Sequence, residues 1–180
     1  DWEATHEFSH LLLPRIDARQ RWISEGFASY YQNVLMARAG HYEPRQAIDK
    51  LAQGFERGRA SSPALSPNEA ALAGLRRARY KIYWSGAAIA LLADVELRQR
   101  SGGTESLDVV LDRFQRCCLP SGRRWSGRAL FQQFDRLIEE PVFMPLYRRY
   151  ADSPGFPDFE DALNNDVVKE KIFAVRTSTN

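Results

Sequence analysis

With 180 residues, 44% of them hydrophobic, the chain is long enough to enclose the core of about one globular domain. Its 25 basic and 23 acidic side chains leave a net charge of +2, which argues against a nucleic-acid-binding protein that depends on a strong positive field. No apolar run is long enough to cross a bilayer, so we predict no membrane insertion.

The first predicted helix, over residues 2–12, carries two histidines at helical spacing. His6 and His10 are four residues apart in the run His-Glu-Phe-Ser-His, and four residues turn an α-helix slightly more than once. Both imidazoles therefore project from one face, where they could bind one metal, with Glu7 beside them as a candidate base for water at that metal. A polar helix face or a satisfied core pair would show the same spacing.

A second helix, predicted over residues 22–39, carries the candidate third ligand, Glu25. Its predicted core stripe consists of apolar residues at spacings of four, three and four: Ile23, Phe27, Tyr30 and Val34. Glu25 lies about 200° around the helix from the first of these, so it faces away from the stripe. Two histidines and one carboxylate on zinc leave a fourth position open, as hydrolysis requires. An ordinary exposed glutamate fits the same periodicity.

A glycine within this second helix predicts a close approach by another group. Gly26 costs a helix about 1 kcal/mol relative to alanine, so we expect another backbone or a substrate to pass beside it. Gly40 is a natural helix end, and the third histidine, His41, follows it in a predicted turn. We expect His41 to be exposed and to take no part in the site.

Helical periodicity dominates the rest of the chain, which predicts a mainly α fold. We predict further helices over residues 44–57, 80–100, 106–117, 126–138 and 141–150, with a loop over 58–67. A capping box at Ser66–Glu69 predicts another helix that runs to residue 79. The organisation expected is a helical part over residues 1–163 and a C-terminal tail over 164–180, with a short strand at 171–175.

The two cysteines, Cys117 and Cys118, are neighbours in the sequence. We predict no bridge between them, because disulfide geometry favours Cα atoms that lie farther apart. A structural zinc site at these cysteines is also disfavoured, since such a site takes four ligands and no second cysteine or histidine pair remains for it.

Several further motifs follow the histidine pair in a characteristic order. They are Tyr80-Lys81-Ile82-Tyr83-Trp84-Ser85-Gly86, Asp94-Val95-Glu96-Leu97-Arg98, Gly102-Gly103 and Ser106-Leu107-Asp108. This series resembles the glycyl aminopeptidase family, whose members show a tyrosine, Lys-Gly, Asp-Leu-Glu-Ile-Arg, Gly-Gly and Ser-Leu-Asp in that order. Residues 146–150 and 157–163 are similar to the segment that follows in the family. The resemblance extends from residue 3 to about residue 163.

The resemblance implies a gluzincin, which is a thermolysin-like zinc peptidase with a zincin-like catalytic domain. It implies Zn²⁺ held by His6, His10 and Glu25, with Glu7 as the general base. It further implies that Tyr83 steadies the oxyanion, because Tyr83 stands three residues before a glycine as the family's tyrosine does. Tyr80 competes for this role, since it lies three residues away on nearly the same helix face. From the sequence alone, either tyrosine could equally be a packed helix residue.

The chain also departs from the family pattern. The segment that connects His10 to Glu25 is shorter than in the family. Ser85 replaces the lysine of the family's Lys-Gly pair. The glycine-rich motif by which aminopeptidases place a free amino terminus does not appear. We therefore carry over neither the substrate preference nor the exopeptidase action.

The expected function is zinc-dependent hydrolysis of a peptide or protein substrate. The chain begins at Asp1, close to the first ligand, so we expect it to be a fragment whose supporting sheet and N-terminal domain lie upstream. The rival interpretation is a non-catalytic peptide-binding or scaffold domain that retains the gluzincin fold.

Overall fold

The computed structural model describes residues 1–176, which form α-helices joined by short connections and contain no β-sheet. The prediction of a mainly α chain is confirmed. The helices are α1 (Trp2–Ser9), α2 (Arg21–Arg38), α3 (Pro44–Ala60), α4 (Pro67–Ala73), α5 (Leu75–Ser101), α6 (Leu107–Cys118), α7 (Gly127–Asp135), α8 (Phe143–Tyr150) and α9 (Glu160–Leu163). Short 3-10 turns lie at His10–Leu12 and Ala18–Gln20. Within the described residues, no helix is both long enough and apolar enough to span a bilayer.

Serine side chains start three of the helices at the predicted positions. The hydroxyl oxygen of Ser66 accepts a hydrogen bond from the backbone of Glu69 at 3.1 Å, at the start of α4. Ser106 and Ser126 cap α6 and α7 in the same way. Each cap satisfies a backbone N–H that the first helical turn leaves without a partner.

Helices α2 and α5 cross where each contributes a glycine. A Cβ atom built on Gly26 would lie 2.2 Å from the Cα of Gly86, and one built on Gly86 would lie 1.8 Å from the carbonyl oxygen of Trp22. Because only glycine lacks this atom, only glycine lets the two backbones approach so closely. The prediction that another backbone passes beside Gly26 is confirmed, and the predicted core stripe of α2 is buried along its length.

Aromatic side chains fix the C-terminal helices against α2. Trp22 of α2 packs its ring edge-to-face against Phe131 of α7, with the ring centroids 6.0 Å apart. Phe134 of α7 contacts Phe27 of α2 on one side and Phe143 of α8 on the other. Such pairs add directional preference to the burial of large apolar surfaces, so the rotation of α2 about its axis is well determined.

A buried carboxylate joins α2, α5 and the start of α6. Asp94, with 1% of its surface exposed, accepts hydrogen bonds from the Tyr30 hydroxyl at 2.6 Å and from Nε of Arg98 at 2.9 Å. It also accepts from the backbone N–H of Leu107 at 3.0 Å. A buried charge is stable only when paired and hydrogen-bonded, as Asp94 is. The Asp94–Arg98 motif thus has a packing role in this fold.

Asp108 makes a second polar junction next to the first. It accepts a hydrogen bond from the Tyr31 hydroxyl at 2.9 Å and pairs with the Arg38 guanidinium at 2.9 Å. Burial acts to raise the pKa of Asp108, but the hydrogen bonds and positive charge of Arg38 outweigh it and lower the pKa. The C-terminal end of α2 is therefore fixed to α6 through a charged pair.

Several predicted segment boundaries are wrong. The first helix, predicted over residues 2–12, ends at Ser9, and His10 lies in a 3-10 turn. The helix predicted to run from the capping box to residue 79 ends instead at Ala73, because Gly74 takes a positive φ of 87° that no helix continues through. The long helix begins at Leu75, with a kink at Ala78.

The predicted strand at residues 171–175 is also wrong. Val168–Ile172 forms a single π-helical turn, in which Val168 and Ile172 are both fully buried. Ile172 and its neighbour Phe173 are both fully buried, whereas neighbouring side chains of a half-buried strand point to opposite faces. The last four residues of the predicted tail, 177–180, lie outside the described residues.

The prediction that the two cysteines stay unbridged is wrong as well. A disulfide joins Cys117 and Cys118, whose Cα atoms are 3.7 Å apart. The pair lies at the end of α6, where Leu119 leaves the helix in an extended conformation. The helix end frees these neighbours from the regular side-chain directions that would keep them apart.

We predict that Gly86→Ala lowers the free energy of unfolding by roughly 2–4 kcal/mol, because the new methyl group collides with the α2 backbone. Urea denaturation followed by circular dichroism measures this change. Gly122→Ala is the matched control, since a Cβ there meets no atom within 4 Å. Equal stability of the two variants would contradict the proposed role of the glycine crossing.

Candidate metal centre

Three predicted ligands converge where α1 packs against α2. The Nε2 atom of His6 lies 3.3 Å from Oε2 of Glu25, and the Nε2 atom of His10 lies 3.4 Å from the same oxygen. One potential ligand atom from each residue lies within 4.8 Å of the other two. The two imidazole rings are nearly perpendicular, with centroids 4.9 Å apart. Two nitrogens and one carboxylate oxygen are the donor set that fits a zinc ion with an open position.

The second ring nitrogen of each histidine is held by a side chain of α2. Nδ1 of His6 lies 3.2 Å from Oε1 of Gln32, and Nδ1 of His10 lies 3.2 Å from the hydroxyl oxygen of Ser24. When Nδ1 carries the proton and donates it to these oxygens, the Nε2 lone pair remains for a metal. Partners of this kind fix the orientation of ligating histidines in metal sites.

Sequence reasoning missed both Gln32 and Ser24. Gln32 lies seven residues after Glu25, which is two helical turns along the same face of α2, and Ser24 directly precedes Glu25. Gln32 also donates from its amide to the backbone oxygen of Trp2 at 3.2 Å, which ties the start of α1 to α2. A search for polar residues on the Glu25 face of the helix would have found Gln32.

The electrostatics of the cluster keep the carboxylate ionised. Burial acts to raise the pKa of Glu25, but hydrogen bonds from His10 and His6 outweigh it and lower the pKa to about 2. The hydrogen bond to Glu25 raises the pKa of His10, and burial opposes it. Hydrogen bonds between the Glu25 carboxylate and the two imidazoles thus hold the cluster together, and a cation would take the place of the protons between them.

Of the two candidate tyrosines, Tyr83 packs against the cluster. Its ring stacks on His6 with centroids 5.8 Å apart and an interplanar angle of 21°. Burial raises the pKa of the Tyr83 hydroxyl, and the negative charge of Glu25 raises it further, so the hydroxyl keeps its proton as a donor. Tyr80 is 49% exposed, and its ring lies under the Arg57 guanidinium.

Glu7 and His6 face a cleft of about 620 Å³ that is bounded by α1, α2, α3 and α5. Glu7 is exposed, and its negative charge makes a minor contribution to the raised pKa values of His10 and Tyr83. The predicted base thus lines the same cleft as one of the predicted ligands. His41 is exposed and lies outside the cluster, as predicted.

On its other side the cluster meets a second depression, which is lined by His10, Ser24, Leu11 and residues of the loop around Pro120. The cluster thus lies between two concave surfaces, with His6 facing one and His10 facing the other. An extended chain that crosses the cluster could place residues in both.

One comparison with known proteins gives a match to part of the chain. Residues 14–87 match the family model for M61 glycyl aminopeptidase. This match supports a glycyl aminopeptidase-like peptidase. The matched segment contains Glu25 and both candidate tyrosines, and it begins after His6 and His10. No curated protein matches the chain.

We predict that His10→Ala lowers the affinity for zinc by roughly a hundredfold or more, because it removes one of three protein ligands. Titration calorimetry with zinc, together with metal analysis after gel filtration, measures this loss. His41→Ala removes an exposed histidine outside the cluster and should bind zinc as the unmodified chain does. Unchanged affinity in His10→Ala would rule out this ligand set.

Proposed function

We propose that this chain is the helical part of a zinc-dependent peptidase of the gluzincin type, with a peptide or protein as its substrate. His6, His10 and Glu25 would hold the zinc ion. The observation that carries the proposal is the approach of both histidine Nε2 atoms to one carboxylate oxygen of Glu25. The family match supports the coarser statement that the chain is a peptidase.

When bound, zinc supplies Lewis-acid activation of water and polarisation of the scissile carbonyl. Glu7 then acts as the general base: its carboxylate takes a proton from the attacking water and returns it to the leaving amine. The position of Glu7 beside His6, on the rim of the cleft, supports this assignment. Gln32 and Ser24 keep the two imidazoles oriented throughout.

Tyr83 donates a hydrogen bond from its hydroxyl group to the oxyanion that forms on the substrate. A phenol can stabilise developing negative charge without bringing a full charge of its own. The stacking of its ring on His6 fixes the side chain next to the cluster. An ordinary phenol already keeps its proton at neutral pH, and burial raises the pKa of Tyr83 further, so the donor proton stays in place.

We predict that Glu7→Gln retains zinc but lowers kcat for peptide hydrolysis by roughly 10²–10⁴-fold, because glutamine cannot accept the proton. A fluorogenic peptide assay with parallel metal analysis measures both quantities. Glu3→Gln is the matched control, since Glu3 lines the same cleft one turn earlier on α1.

If Glu7→Gln hydrolysed peptides as fast as the unmodified chain, the base assignment would be wrong. If the unmodified chain bound zinc and peptides without turnover, the non-catalytic peptide-binding interpretation would replace the peptidase.

We predict that Tyr83→Phe lowers kcat by roughly 10–100-fold with little change in KM, since the lost hydrogen bond forms only as the oxyanion develops. Tyr80→Phe, three residues away on the same helix, is the control and should keep kcat within about twofold. Steady-state kinetics on one peptide separates the two variants. The opposite result would assign the oxyanion role to Tyr80.

A further inference from the structure

One wall of the large cleft carries positive charge with no carboxylate partner. Lys50 and Arg57 of α3 and Arg79 of α5 line the cleft, and none of the three forms an ion pair within residues 1–176. By contrast, Arg59 of α3, which does not line the cleft, pairs with Glu160. The acidic residues that line the same cleft, Glu3 and Glu7, belong to α1.

The two arginines on this wall are held by aromatic rings. The Arg79 guanidinium lies 5.6 Å from the centroid of the Tyr83 ring, and the Arg57 guanidinium lies 5.7 Å from the rings of both Tyr80 and Trp84. Contact with an aromatic ring stabilises the cation and restricts its rotation, while the planar N–H donors stay available to a ligand. Such a guanidinium is prepared for a carboxylate, which it can bind through two parallel hydrogen bonds.

This wall lies close to the metal cluster. The Tyr83 ring contacts both the His6 ring and the Arg79 guanidinium. A single aromatic ring therefore separates a proposed metal ligand from this guanidinium. An extended peptide advances about 3.3 Å per residue. A substrate group roughly two to four residues from the scissile bond would therefore reach the wall.

We infer that the cleft selects peptides that carry a carboxylate within a few residues of the scissile bond, and that Arg79 and Arg57 bind this carboxylate. The inference rests on the proposed function, because it takes the cluster as the place where the peptide is cut. An Asp or Glu side chain and the C-terminal carboxylate share this chemistry, and either would complement the wall. Lys50 adds to the positive potential that draws such a peptide in.

The test measures peptide binding to the Glu7→Gln chain, which removes turnover from the experiment. The peptides come in pairs that differ only by Asp or Asn at one position, and this position moves by one residue from each pair to the next. Every peptide is made with a free and with an amidated C-terminus. Titration calorimetry at low ionic strength gives Kd with zinc added and again with zinc removed by a chelator. The same series is repeated with Arg79→Gln, Arg57→Gln and the control Arg45→Gln, which removes an exposed arginine of α3 that does not line the cleft.

We expect at least one carboxylate peptide to bind roughly tenfold more tightly than its neutral counterpart. Arg79→Gln and Arg57→Gln should each reduce that ratio to about twofold or less, whereas Arg45→Gln should preserve it. A preference for Asp over Asn identifies a side-chain carboxylate, and a preference for the free over the amidated end identifies the C-terminus.

Equal Kd values for acidic and neutral peptides, or a preference that survives in both cleft variants, would overturn the inference. Failure of the proposed function gives a different result: the unmodified chain then binds no zinc or cuts none of the peptides. The binding ratio of the metal-free chain still decides the inference in that case, because the arginine wall does not depend on the metal.

Discussion

The close crossing of α2 and α5 is the constraint on which the rest of the site depends. Gly26 and Gly86 bring the two backbones into direct contact, and no other residue type fits at either position. Glu25 directly precedes the first glycine, and Tyr83 lies three residues before the second. The contact therefore sets the separation between a proposed metal ligand and the proposed oxyanion donor. Because protein interiors are tightly packed, a shift of either backbone at this contact would change that separation.

Polar side chains of α2 bind both the histidines of the site and the helices that surround α2. Gln32 and Ser24 hold the rings of His6 and His10, while Tyr30 and Tyr31 donate hydrogen bonds to Asp94 and Asp108, which join α2 to α5 and α6. The Asp94–Arg98 motif, part of the family resemblance, thus belongs to the support of the site rather than to its chemistry. A supported site of this kind holds its ligands in place before a metal arrives, which lowers the cost of ordering them on binding.

The large cleft is asymmetric in charge, and this asymmetry bears on the function of the chain. The carboxylates that line it, the proposed base among them, belong to α1, while the arginines belong to α3 and α5 and form no ion pair within residues 1–176. Exposed cations contribute little to the stability of a fold, but they can bind an anionic group of a ligand. A peptide bound across the cluster would meet the base on one side and the arginines on the other. The same wall would serve a peptidase or a peptide-binding domain.

Local periodicity determined much of this protein. The spacing of His6 and His10, the outward turn of Glu25 from the core stripe, the serine caps and the close approach at Gly26 all follow from the geometry of a single helix. Only the tertiary structure decided that Gln32 and Ser24 hold the histidines and that Tyr83, rather than Tyr80, packs on the cluster. It also decided the convergence of Arg57 with Arg79, the break at Gly74 and the final helical turn. The physical reason is that distances between helices depend on side chains from distant parts of the chain, which a local pattern does not contain.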